Sequence, residues 1–144
     1  MCTHKMEREM YKNILVPVAF ETGRDTMKSI QIAEALSEKG GKITALHVVE
    51  EIPSYVAQYL PEGQMDANVK EIEEILHKRL NEHAEIVVKV IEGHAGHSIV
   101  DYANDTGVDC IVIASHRPGL QDLVLGSTAA RVVRHAPCAV HVVR

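Results

Sequence analysis

Apolar positions in this chain keep two rhythms: short unbroken runs, and longer stretches in which they recur with the period of a helix. Asn13–Ala19 (NILVPVA), Lys42–Val49 (KITALHVV), Glu85–Glu92 (EIVVKVIE), Cys110–Ala114 (CIVIA) and Cys138–Arg144 (CAVHVVR) are the runs. Rich in Val and Ile and bounded by polar residues, they predict strands, several of them buried on both faces. Pro17 falls near the end of the first, where a residue without an N–H is best tolerated. Between the runs, Met27, Ile30, Ala33 and Leu36 form one helical face behind Asp25 as a cap, with Gly40-Gly41 expected to end that helix. A long helix from Asp66 turns Val69, Ile72, Leu76 and Leu80 inward and Lys70, Glu74 and Lys78 to water. Gly93–Gly96 reads as a turn, and His97-Ser98 lead into a short helix through Ile99, Val100 and Ala103 that Asn104–Gly107 terminates. A last helix spans Ser127 to about His135, stopped by Pro137. Glu50–Met65, with Pro53, Pro61 and Gly63, reads as a mobile flap over one end of the sheet.

Strands alternating with helices predict a single-domain, doubly wound α/β fold: a parallel sheet with helices on both faces. Ligands in such sheets lie beyond the carboxyl ends of the strands, where the strand order reverses. Here that edge joins the ends of the first and fourth strands.

Composition narrows the picture. With 144 residues there is enough chain for one well-cored domain, expected over 10–144, with 1–9 as a disordered leader. One Phe, four Tyr and no Trp leave the core to Ile, Val, Leu and Ala, which suits a covered parallel sheet. A formal net charge of −5 without a Lys/Arg block argues against nucleic acid as a partner. No run approaches membrane-spanning length, and Met1–Arg8 lacks the apolar centre of a secretory signal. Cys2, Cys110 and Cys138 have no metal-like spacing and read as reduced, mostly buried thiols of a cytoplasmic protein.

The candidate chemistry gathers in Val108–Arg134 (VDCIVIASHRPGLQDLVLGSTAARVVR). A buried strand breaks at Ser115-His116-Arg117-Pro118-Gly119, and Gly126-Ser127-Thr128 opens a helix whose hydroxyls are placed to cap it. Strand end, loop and helix start point several backbone N–H groups at one place, the physics of an anion site; an ordinary capped βα connection has the same outline. Ser115-His116 is not read as a nucleophile and base, because adjacent residues leaving a strand diverge and no orienting acid accompanies them. His94 and His97 lack an accompanying Cys or acid ligand set and are read as turn and cap residues, so no metal ligand is assigned. His116, His135 and His141 read as surface or loop residues, and Leu120, Leu123, Val124 and Leu125 as a cover for the site.

Over its length after Met10, the chain resembles the universal stress protein family. The resemblance rests on the opening ILVP, the strand ending HVV, and the closing IVIASHRPG…LGSTAARVVRHAPCAVHVVR, in the form of the small single-domain bacterial branch. It implies a five-stranded sheet in order 3-2-1-4-5, a homodimer through the last strand, Cys138–Arg144, and in many members an ATP or AMP site, with or without magnesium. The family's nucleotide motif, Gly-x2-Gly-x9-Gly-Ser/Thr, is matched in part. Gly126, Ser127 and Thr128 match its phosphate-contacting end, and Ala114, Ser115, His116 and Arg117 occupy the place of its first two glycines. Eight residues instead of nine then precede Gly126. Pro17, Val18 and Val48 match the adenosine side, but Ala19 stands where nucleotide-binding relatives carry an Asp.

That Asp contributes a charge-assisted hydrogen bond, and losing one costs about 1.5–3 kcal/mol, a weakening that leaves binding at cellular ATP concentrations within reach. Glu21 reads as a surface residue beside the turn, and Arg117 either as a phosphate ligand or as an exposed loop residue. Three functions are thus framed: a dimeric nucleotide-binding stress-response sensor, a nucleotide-free dimeric module that recruits a protein partner, and a slow ATPase. The last has no visible base or metal carboxylate.

Overall fold

The computed structural model describes residues 10–19, 23–83, 85–115 and 125–144. The expected leader, Glu21 and the segment 116–124, with His116, Arg117, Leu120, Leu123 and Val124, lie outside them. Strands β1 (Tyr11–Pro17), β2 (Ser37–Glu50), β3 (Val87–Gly93), β4 (Cys110–Ala114) and β5 (Ala139–Val143) form one parallel sheet in order β3-β2-β1-β4-β5. Helices α1 (Gly23–Leu36), α2 (Ser54–Ala57), α3 (Gln64–Arg79), α4 (Ala95–Thr106) and α5 (Ser127–His135) fall between them.

Alternation along the strands divides the core in two. Ile14, Val16 and Val18 pack with Ile30 and Ala33 of α1 and Leu76 of α3. Leu15 turns the other way and packs with Ile111, with Ile99 and Ala103 of α4, and with Ala129 and Val132 of α5. Each face of the sheet therefore carries its own helix pair. Ile14, Leu15 and Val16 are fully buried, as the unbroken apolar run predicts. On the second face α4 approaches α5 closely at Gly96, where a Cβ would sit 2.6 Å from Arg131 Cδ. Only a glycine fits there without moving the arginine.

The seam between β1 and β4 is short, registered at Ile14↔Cys110 and Leu15↔Ile111. It is reinforced at its start by Asp109. The Asp109 carboxylate accepts from the backbone N–H groups of Lys12 (2.8 Å) and Asn13 (3.0 Å), and its own N–H donates to the Asn13 carbonyl at 3.0 Å.

Strand ends shift from the sequence reading by a few residues, and the helix boundaries depart from it as follows. The first helix ends at Leu36, ahead of Gly40-Gly41, because Ser37 is already paired with Tyr11. Lys42 then pairs with Asn13, so residues 38–41 bulge out of the ladder, and Gly40 spends its left-handed φ of 81° in that bulge. Asp25 lies inside α1 instead of capping it. Helix α3 starts at Gln64 behind a left-handed Gly63, which leaves Asp66 in the first turn, where the helix dipole favours an acid. Helix α4 begins at Ala95 and runs on to Thr106, since Asn104 and Thr106 bond back to the carbonyls of Val100 and Tyr102 instead of breaking the helix. Gly107, at φ 68°, is its cap. The expected flap contains the one-turn helix α2, which leaves Tyr55 and Tyr59 70% and 81% exposed.

Burial, then charge on Cys138 and Asp109, pushes the Cys110 thiol up from its ordinary value near 9 to about 11. Cys138, half-buried, is raised by burial and then by Asp109. The folded chain thus keeps a proton that the unfolded chain releases, so stability should be intact below pH 9 and fall as pH rises from 9 to about 11. Urea unfolding at pH 8 and pH 10.5 should show a smaller alkaline loss in Cys110→Ala than in wild type. An equal loss in both would mean that Cys110 is not responsible.

Candidate functional site

The switch point lies where β1 and β4 leave the sheet side by side. Pro17 closes β1 and faces Leu46 in register; the N–H of Val18 donates to the Leu46 carbonyl at 2.8 Å. Val18 is buried, whereas Ala19 is exposed. On the neighbouring strand, the ring Nδ1 of His47 lies 2.8 Å from the Val18 carbonyl. A carbonyl only accepts, so this ring nitrogen carries the proton and the histidine holds the end of β1 against β2. His47 was missed by the sequence reading; its only signal was a polar ring inside the run KITALHVV. Val48, half-buried on β2, packs against the α4/α5 face of the core, and Leu125, just ahead of α5, packs against the same cluster.

Across the seam, Ala114 ends β4 and Ser115 is 4% exposed. The Ser115 N–H donates to the Val143 carbonyl at 2.9 Å, and the Ser115 carbonyl accepts from the Gly126 N–H at 2.8 Å. This second bond pins the start of α5 to the end of β4. The expected hydroxyl cap is not formed: Gly126 takes the N-cap position and Ser127 is already helical. An N-cap hydroxyl must sit on the non-helical residue before the helix, and that residue here is a glycine. The Gly126 carbonyl receives the Ala130 N–H at 2.8 Å, while helix geometry leaves the N–H groups of Ser127, Thr128 and Ala129 without an intrahelical acceptor. Gly126 has an ordinary extended conformation (φ −60°, ψ 156°), and a Cβ there would stand 3.4 Å from the Ser115 carbonyl. Its backbone does not require glycine. What glycine leaves open is close approach to the first turn of α5.

Ser127 and Thr128 also line a cleft of about 370 Å³ with His94, Gly96, Arg131, Arg134 and His135. The structure therefore gathers Pro17, Val18, Ala19, Ala114, Ser115 and Gly126 at the carboxyl edge, while Ser127 and Thr128 continue from it into a cationic groove. Pro17, Val18, Ala19 and Val48 are not part of that groove's lining. His116 and Arg117 lie outside the described residues. His94 takes the N-cap position of α4 without a side-chain capping bond, and its ring meets that of His97 edge-on, centroids 5.1 Å apart. Arg131 Nη1 lies 3.5 Å from His97 Nδ1; a guanidinium only donates, so that nitrogen accepts.

A parallel sheet in order 3-2-1-4-5, covered on both faces, with a glycine-opened helix pinned to its switch point, defines a doubly wound α/β protein. The family model described as the universal stress protein family matches residues 10–144. The chain belongs to that family. It is 35% identical over 143 residues to universal stress protein A homolog 2 of Coxiella burnetii, covering 93% of this chain and 95% of that protein. To universal stress protein G of Escherichia coli O157:H7 it is 31% identical over 147 residues, covering 94% of this chain and 100% of the other. Among solved structures, the universal stress protein UspA from Lactobacillus plantarum superposes with a TM-score of 0.76 at 26% identity, covering 95% of this chain and 100% of that one. The same fold occurs in a universal stress protein in complex with cAMP (TM-score 0.60, 18% identity, 94% and 98% covered). It occurs again in an Arabidopsis thaliana family member with AMP bound (TM-score 0.57, 19% identity, 92% and 90% covered). Among the described residues, no helix is long and apolar enough to cross a membrane.

Proposed function

We propose that this protein is a cytoplasmic, homodimeric stress-response protein that binds an adenine nucleotide, ATP or AMP, as a sensor and does not turn it over rapidly. The observation that carries the reading is the bond from Gly126 N–H to the Ser115 carbonyl. It holds the positive end of α5 at the switch point, where free N–H groups and the helix dipole favour a phosphate. In this reading Gly126, Ser127 and Thr128 receive the phosphates, with Ala114, Ser115, His116 and Arg117 beside them. Pro17, Val18, Ala19 and Val48 form the adenosine side. The relatives solved with cAMP and AMP support an adenine ligand for this fold.

Calorimetry with ATP, AMP and cAMP, each with and without magnesium, tests the proposal. Saturable binding is expected, and Gly126→Val should abolish it by filling the approach to the helix start; undiminished affinity in that variant would remove the phosphate assignment. Ala19→Asp should tighten ATP or AMP binding by about 1–3 kcal/mol, the worth of one charge-assisted hydrogen bond. No gain there would show that Ala19 does not border the adenosine.

Ala19 also favours a second reading, a nucleotide-free dimer that recruits a protein partner, with the exposed Tyr55, Val56 and Tyr59 as apolar surface for it. Absence of binding in every nucleotide arm, in wild type and Ala19→Asp alike, selects this one. Phosphate release above that of Ser127→Ala would instead identify a slow ATPase.

A further inference from the structure

At the amino-terminal edge of the sheet, opposite Ser115 and Gly126, three side chains from two separate segments converge. Glu34 comes from the last turns of α1; His83 and Glu85 come from the connection between α3 and β3. His83 Nδ1 and Glu34 Oε2 are 3.0 Å apart, and one ligand atom from each of the three residues lies within 4.8 Å of the others. Glu34 and His83 are half-buried, with side chains 34% and 18% exposed; Glu85 is exposed. We propose that Glu34, His83 and Glu85 bind a divalent transition-metal ion of the zinc class, which fastens α1 to the α3–β3 connection.

Charge is the first argument. A hydrogen-bonded Glu34–His83 pair accounts for two of the three groups but leaves a second carboxylate facing the first across a few ångströms. The set is net negative whether His83 is neutral or protonated, and a divalent cation removes that repulsion. Donor chemistry selects the class of ion. One imidazole nitrogen with two carboxylate oxygens suits zinc and its neighbours better than magnesium or calcium, which prefer oxygen alone. Geometry is within reach: ligands about 2.0–2.2 Å from a tetrahedral ion stand roughly 3.3–3.6 Å apart, so the 3.0 Å pair is already near its bound spacing. Glu85, the exposed member, already stands within 4.8 Å of both. The backbone of His83 is fixed on both sides, its N–H donating to the Leu80 carbonyl at 2.8 Å and its carbonyl accepting from Ile86 at 2.9 Å. Glu34 follows the buried Ala33 on a helix seated in the core. Two of the three ligands are thus held in place before any ion arrives.

The test is titration of the full chain with zinc against a competing chromophoric chelator, with magnesium as a parallel arm. One zinc equivalent is expected that His83→Ala and Glu85→Gln each weaken about tenfold or more. The double variant His94→Ala with His97→Ala should leave it unchanged. Glu85→Gln is the decisive variant, because Glu85 is exposed and lies outside the Glu34–His83 bond, so the fold does not depend on it. At one fixed zinc concentration, zinc should raise the melting temperature of wild type more than that of Glu85→Gln. Cobalt in place of zinc should give weak d–d bands and no intense thiolate charge-transfer band, separating this site from any cysteine site. Zinc binding that survives both His83→Ala and Glu85→Gln, that follows His94 and His97, or that shows thiolate bands would overturn the proposal, as would the absence of a saturable equivalent or an equal response to magnesium.

Discussion

Leu15→Ala should lower the stability of the protein by about 2–5 kcal/mol, against a total of roughly 5–15 kcal/mol for a domain of this kind. Leu15 is fully buried in the middle of β1, paired with Thr44 on one side and Ile111 on the other. Its side chain sits among Ile99, Ala103, Ile111, Ala129 and Val132, contributed by α4, β4 and α5. Backbone pairing on both sides prevents the strand from sinking into the cavity, which places the cost in the upper part of that range. Thermal unfolding should show a drop of about 10 °C. Val133, 46% exposed on α5, is the matched control; its truncation to alanine should change stability by no more than about 0.5 kcal/mol. Similar losses at the two sites would contradict the described core.

The second large effect concerns assembly. Val142→Pro should shift the protein from dimer to monomer in sedimentation at micromolar concentration. β5 lies at the edge of the sheet. Backbone polar groups alternate sides along a strand, and the Val143 carbonyl faces β4, where it accepts from Ser115. The groups of Val142 and Val140 therefore turn to the open edge. A proline at 142 removes a donor offered to another chain while sparing the ladder with β4. Neither proline nor an inward charge protects the run Ala139–Val143, and in the proposed dimer antiparallel pairing with a second copy about a two-fold axis would close the edge. A wild-type protein that already sediments as a monomer would refute the proposed dimer.

Much of this architecture was legible because the core is aliphatic and the strands are short. Runs such as CIVIA, five residues rich in Ile and Val between polar stretches, suit strands buried on both faces, and the spacing of Ile30, Ala33 and Leu36 suits a helix. Boundaries were less legible where a residue has two uses. Gly40 is a good helix terminator, but its conformation serves a bulge that depends on Tyr11, far away in sequence. Asn104 and Thr106 look like breakers until their side chains are seen bonded to the preceding turn. At the switch point, the glycine-opened helix could be read from Gly126-Ser127-Thr128, yet the bond that positions it is backbone to backbone and has no sequence signature. The Glu34, His83 and Glu85 cluster was invisible for a related reason. His83 and Glu34 stand 49 residues apart, and only the packing of α1 beside the α3–β3 connection brings them together.

The Asp109 clamp has a kinetic consequence. Asn13 and Asp109 are 96 residues apart, so joining β1 to β4 closes a loop spanning most of the domain. Non-local closure of this kind is slow, because chain entropy is lost before many contacts repay it. The pairings of β1 with β2, β2 with β3 and β4 with β5 join strands closer in sequence than this seam does, so the seam is expected to form last. Folding rate is expected to depend on this joint, and Asp109→Ala should slow refolding in stopped-flow measurements; an unchanged refolding rate would place the clamp after the rate-limiting step. The nucleotide proposed for the switch point would span the same joint, so it would act as a brake on unfolding as well as a signal.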